Sequence, residues 1–201
     1  MASSWQSTTH KSLTFSVFKR FEDLPVQRMS VINFAVSIAI YKVLKKISLP
    51  NTTIKWPNDI MSHSKKVAGI LIENQIKKGK IISSVIGVGL NVNEEKFNNL
   101  SQATSILLAT GIKHNLDELL LTISKAILEE LEKAEKGEFQ PLKAAYENSL
   151  FRKNKITVFE NSMGDRFNGI IKGVTDLGEI VIENEEEILN NYYSKELKYL
   201  F

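Results

Sequence analysis

The chain has 201 residues, 43% hydrophobic and 24% charged, a balance that suits one medium soluble domain with a small one beside it. Its 26 basic and 23 acidic residues are spread along the chain, and a net charge of +3 without a polybasic block is too mild to imply nucleic-acid binding. Cysteine is absent, which excludes disulfides, thiol redox chemistry and Cys-based metal sites; the longest apolar stretch, Val31 to Ile40, is interrupted by Asn33 and Ser37 and is too short to span a bilayer. No basic segment followed by an apolar run opens the chain, so a cytoplasmic protein without a secretory signal is expected.

Leu13 to Phe18 alternates apolar and polar residues and predicts a strand. From about Gln27 to Ile47, residues Val31, Ile32, Ala35, Ile38, Ala39, Val43 and Leu44 recur at helical spacing, which predicts a long, largely buried helix. Short β-type runs follow at Thr53 to Trp56, Val67 to Asn74 and Ile81 to Val92, punctuated by Pro57-Asn58-Asp59 and Lys77-Lys78-Gly79-Lys80. Neighbouring antiparallel strands are expected there. Helical periodicity returns with Leu119, Leu120, Ile123, Ala126, Ile127 and Leu131, capped by Asn115 with Glu118 three residues on, and a further helix is expected over Phe139 to Leu150. Beyond Leu150 the pattern is strand only, at Lys155 to Phe159, Phe167 to Lys172 and Glu179 to Glu183, around turns at Met163-Gly164-Asp165 and Asp176-Leu177-Gly178. This shift predicts an α+β main domain over 1–150 and a small β-barrel over 151–201.

Chemistry concentrates in Lys55-Trp56-Pro57-Asn58-Asp59 and in Lys66-Val67-Ala68-Gly69-Ile70-Leu71. A carboxylate that attacks the α-phosphate of ATP brings two anions together, so such a site needs fixed positive charge and a hard-cation ligand. Lys55 and Lys66 can supply the first and Asp59 the second, as a Mg²⁺ ligand. By turn chemistry alone, the same Pro-Asn-Asp is an ordinary turn beside a packed tryptophan. Gly87-Val88-Gly89 lacks the third glycine of a dinucleotide fingerprint; its glycines admit a ligand or a neighbouring strand close to the backbone, and Asn91 offers a donor and an acceptor beside them. His10, His63 and His114 lack metal-ligand spacing. Lys77-Lys78-Gly79-Lys80 is either a solvated turn or a basic hairpin able to steer an acidic partner.

Taken together, the Lys-Trp-Pro-Asn-Asp turn and the following Lys-x-Ala-Gly-Ile-Leu strand resemble the signature of the biotin-protein ligases. Gly87 to Val92, Ala103-Thr104-Ser105, Trp5-Gln6-Ser7 with Ser12 to Ser16, and Phe167 to Gly178 are similar to further segments of that family, with His10 standing where a glycine is common. The resemblance implies a class II synthetase-like catalytic domain, a mixed or antiparallel sheet flanked by helices, followed by an SH3-like barrel. It implies that biotin is activated with ATP and Mg²⁺ as biotinyl-5′-AMP and transferred to a lysine of a biotin carboxyl carrier domain, by a monomer or homodimer. Lys66 is then the catalytic residue, bridging the biotin carboxylate and the α-phosphate. Gly69 gives room beside the biotin ring, Trp5 walls the pocket, Lys55 assists the phosphates, and Asn58, Asp59 and Asn91 serve nucleotide and Mg²⁺.

The family's Gly-Arg-Gly-Arg-Arg-Gly loop precedes the tryptophan matched by Trp5, whereas here only Met1-Ala2-Ser3-Ser4 stand before it. Upstream strands with a Ser/Thr-Asn motif and a glutamine, and the DNA-binding domain of some relatives, have no counterpart either. The expectation is a chain that begins inside the active site, binds biotin weakly and turns over slowly. Two alternatives are a catalytically impaired protein that binds biotin or its adenylate, and a lipoate-attaching relative.

Overall fold

The computed structural model describes residues 5, 9–97 and 100–200. An N-terminal antiparallel sheet is built from β1 (Ser12–Pro25), β2 (Thr52–Lys55), β3 (Asp59–Ser62), β4 (Lys65–Lys77) and β5 (Lys80–Asn91), in the order β1-β5-β4-β3-β2. Ile60, Ala68, Ile70, Ile86, Val88 and Leu90 of these strands are buried. Against them packs α1 (Ser30–Lys46), which is apolar almost all round because α3 (Leu116–Glu135) and α4 (Phe139–Asn148) cover it elsewhere. Asn115 caps α3, its Oδ1 accepting from the backbone N–H groups of Asp117 and Glu118, a contact worth about 1 kcal/mol. Leu119, Ile123, Ile127 and Leu131 form the buried face of α3, and Glu130 clamps α3 to α1 through Lys42 at 2.6 Å.

Several elements differ in extent from the sequence reading. β1 runs on from Phe18 to Pro25 because β5 pairs with it throughout, across a register shift between Arg20 and Leu24 that breaks the alternation. The helix expected from about Gln27 starts at Ser30, after a single 3-10 turn at Val26–Arg28. Pro57-Asn58-Asp59 is a tight connection whose last residue already begins β3. Unforeseen are the short helix α2 (Ile106–Thr110), capped by Ser105 and closed by Gly111 at φ +75°, and the last two strands of the C-terminal sheet.

That second sheet contains β6 (Ile156–Asn161), β7 (Arg166–Val174), β8 (Ile180–Glu183), β9 (Leu189–Tyr192) and β10 (Leu197–Leu200), in the order β10-β6-β7-β8-β9. The overall architecture is therefore α+β, with two antiparallel sheets flanked by helices. The β7–β8 turn ties the second sheet to the N-terminal sheet and its helices. Asp176 pairs with Lys143 and Arg28, its carbonyl accepts from Ser30 Oγ at 2.6 Å, and the Gly178 carbonyl accepts from Trp56 Nε1 at 2.8 Å. No helix among the described residues is long and apolar enough to cross a membrane.

His10 sits just before β1 with φ at +61°, a backbone region that costs a non-glycine residue about 1 kcal/mol or more. Glycine adopts it without a Cβ clash, although it loses more chain entropy on folding. His10→Gly is accordingly expected to stabilise the fold by about 0.5 kcal/mol, read as a small rise in the denaturant midpoint at constant slope. A lower midpoint would show that the imidazole makes contacts that outweigh the backbone strain.

Candidate active site

Strand register decides which side chains meet. Asp59 pairs with Lys55 on one side and Gly69 on the other, Gly69 pairs with Gly89, and Gly89 with Thr14, so these residues share one sheet face, opposite the face that buries Ile60, Ala68 and Leu90. Asn91, two residues after Gly89, lies on the same side. Strict alternation from Gly69 would turn Lys66 into the core. A β-bulge prevents this: Met61 pairs with Lys66 and Ile60 with Ala68, leaving Val67 as an extra residue that returns the lysine to the face of Gly69.

The bulge places Lys66 Nζ 2.6 Å from Asp59 Oδ1 and 5.7 Å from the Trp5 ring centroid. Trp5 lies over the two glycines. A Cβ built on Gly89 would overlap the indole, with Cε3 at 2.7 Å, and one on Gly69 would stand 2.9 Å from Lys66 Nζ and 3.2 Å from the indole Cζ3. The absence of side chains at these two positions is what lets an aromatic ring rest on the backbone of β4 and β5. Lys55 is held below the ordinary lysine pKa range by burial; Asp59 opposes this and Lys66 adds to it. Two ammonium groups on one partly desolvated face favour a bound anion, each contact at about 4 Å being of order 4 kcal/mol before desolvation.

Beyond β5 the chain folds back over this face. Lys66 N donates to Gln102 O at 2.7 Å, Thr104 N donates to Lys66 O at 2.9 Å, and Asn91 Nδ2 donates to Thr104 O at 3.0 Å. The result is a cavity of about 370 Å³ lined by Trp5, Lys55, Asp59, Met61, Lys66, Asn91, Leu100, Gln102 and Tyr199, among others. Two buried polar atoms around it, Trp5 Nε1 and Asn91 Oδ1, have no hydrogen-bond partner among the described residues. Such atoms suit a polar ligand that supplies an acceptor to one and a donor to the other.

Of the residues singled out from sequence, Trp5, Lys55, Asp59, Lys66 and Asn91 line the cavity, whereas Gly69 lies beneath Trp5 and Lys66 and does not line it. Asn58 is placed differently. Its Nδ2 donates to Ile70 O at 2.6 Å while its own carbonyl accepts from Ile70 N at 3.0 Å, which fastens the turn to β4. Pro57 O is held by Asn33 Nδ2 and Tyr146 Oη, both at 2.7 Å. Met61, Leu100, Gln102 and Tyr199 carry no functional signal in the sequence, although Ala103-Thr104-Ser105 beside Gln102 does. A larger cleft of about 670 Å³ between β1 and α3 holds the ion pair of Lys19 with Glu135 at 2.9 Å. Among the described residues, no group of three or more His, Asp or Glu side chains is arranged to hold a metal ion.

Residues 3–91 match the biotin/lipoate A/B protein ligase family. The chain is 26% identical to the bifunctional ligase/repressor BirA of Bacillus subtilis over 200 residues, 96% of this chain and 60% of that protein. The likeness to the biotin/lipoate ligase family thus lies in residues 3–91, which hold the whole of the N-terminal sheet. A biotin–acetyl-CoA-carboxylase ligase of Mycobacterium tuberculosis is 35% identical over 106 residues, 51% of this chain and 38% of that one. A biotin protein ligase of Aquifex aeolicus, solved in complex with biotin and ATP, superposes with a TM-score of 0.75 at 25% identity, covering 94% of this chain and 78% of that one. The chain thus spans about 60% of the length of the BirA proteins of Bacillus that it matches.

Proposed function

We propose that the chain activates biotin with ATP to biotinyl-5′-AMP and transfers the biotinyl group to a lysine of a carboxyl carrier domain. The observation that carries this reading is the bulge at Val67, which sets Lys66 beside Asp59 and against Trp5 over two glycines. In the first step a biotin carboxylate oxygen bonds to the α-phosphorus and pyrophosphate departs. Lys66 neutralises the approaching carboxylate and phosphate, exchanging its Asp59 partner for them. Lys55 meets the remaining phosphate charge, and the biotin rings rest on Trp5, which Gly69 and Gly89 let lie against the sheet. Asn91 Oδ1 accepts from a nucleotide donor while its Nδ2 keeps the covering loop in place. Asn58 acts by holding the turn that carries Asp59.

Asp59, a single carboxylate, fits a Mg²⁺ ion whose other ligands are phosphate oxygens and water, the usual way this ion is bound in nucleotide sites. The metal would neutralise phosphate charge. In the second step the acceptor ε-amine attacks the acyl carbon, AMP leaves and the amine loses a proton; with so good a leaving group, positioning is the main requirement. On this reading residues 1–150 form the catalytic domain and 151–201 an SH3-like domain.

Pyrophosphate release from ATP and Mg²⁺ tests the proposal, with biotin, lipoate or neither added. Release that needs biotin is expected. Release driven equally by lipoate would reassign the substrate, and biotin binding without any release would make the chain a binding protein.

A further inference from the structure

Tyr199 lies far along the chain from the Lys55-to-Gly69 segment, yet it lines the same cavity. Its strand, β10, pairs with β6 so that Tyr199 stands opposite Phe159, and the two rings meet edge-on with centroids 5.1 Å apart. This packing fixes the Tyr199 ring from the core of the C-terminal sheet. The ring also meets Lys55, whose Nζ is 5.2 Å from the ring centroid. The neighbouring Trp56 is tied to the same sheet through the Gly178 carbonyl, so the C-terminal sheet holds the end of β2 at two points. Burial pushes the Tyr199 phenol well above the ordinary tyrosine range, which leaves the side chain a neutral ring and excludes it as a base near neutral pH.

We infer that Tyr199 is a positioning residue through which the C-terminal sheet preorganises Lys55 for the nucleotide phosphates. A lysine ammonium on a four-carbon stem loses considerable rotamer freedom when it binds an anion, and a ring already holding it reduces that loss. The inference rests on the nucleotide reading of the cavity given above. It makes the active site a joint product of the two sheets, and it predicts an effect on nucleotide and none on biotin.

The test measures MgATP and biotin affinities by calorimetry for wild type, Tyr199→Phe and Tyr199→Leu, each also combined with Lys55→Ala. Tyr199→Leu is expected to weaken MgATP about three- to tenfold, as loss of a cation–π contact would, and to leave biotin unchanged. Tyr199→Phe should stay within about twofold of wild type, because it keeps the ring. In the Lys55→Ala background Tyr199→Leu should add nothing further. Equal damage from Phe and Leu, or an undiminished Leu effect without Lys55, would overturn the role by showing a packing effect alone. Tyr199→Met replaces the leucine variant if that protein melts early. Failure of wild type itself to bind MgATP would instead overturn the nucleotide reading, and Tyr199→Leu binding as wild type does would overturn the inference alone.

Discussion

Lys66→Ala is expected to lower biotin-dependent pyrophosphate release at least about a hundredfold, since removal of one preorganised charge or donor at a reacting centre typically costs that much. The side chain is partly exposed and contributes no apolar packing to the core, so melting should move little. What changes is local: Asp59 loses its partner at 2.6 Å, and the face keeps only Lys55 of its two lysines. Removing the pair also leaves the Asp59 charge uncompensated, so ATP affinity should fall along with the rate. Single-turnover adenylate formation by the variant, compared with wild type at saturating biotin, checks this. An undiminished rate in a folded Lys66→Ala protein would remove Lys66 from the chemistry.

A second large effect is expected at Gly89, with Gly87 as its internal control. A methyl group at Gly89 must overlap the Trp5 ring, whereas at Gly87 the nearest atoms are Leu71 O at 3.7 Å and Leu71 Cβ at 3.8 Å, ordinary contact distances. Gly89→Ala should therefore displace the indole and weaken biotin binding about tenfold or more, the order of effect expected from losing one aromatic wall of a pocket. Gly87→Ala should leave biotin affinity unchanged and stabilise the strand by about 0.5 kcal/mol through reduced chain entropy. Biotin titrations of the two variants separate the cases. Equal affinities in both would mean that Trp5 does not wall the pocket.

Much of this arrangement is legible in the residues. The helical spacing from Val31 to Leu44, the strand alternation around Ile86 to Leu90 and the Asn115 cap each follow from local pattern, because burial on one face imposes a period on the sequence. The lysine turn and the Lys66-to-Leu71 strand are recognisable as a signature. The bulge at Val67 leaves no such mark, although strict alternation would point Lys66 toward the buried face, a conflict that only an extra residue resolves. The amide of Asn58 can serve many partners, which makes it a ligand candidate in the sequence, and only the fold shows its Nδ2 engaged by Ile70 O. Tyr199 and Gln102 carry no local signal, since they reach the cavity through long-range pairing. Helix α2 escapes because five residues are too few to display a period.

The face built from Lys55, Asp59, Lys66, Gly69, Gly89 and Trp5 is expected to hold a biotinyl-adenylate. A crystal structure of the protein with a non-hydrolysable biotinyl-5′-AMP tests it most directly. The biotin rings are expected against Trp5, with the bridging acyl-phosphate group within hydrogen-bond reach of Lys66 Nζ. A ligand seated elsewhere, such as in the cleft between β1 and α3, or bound with that group away from Lys66, would contradict it.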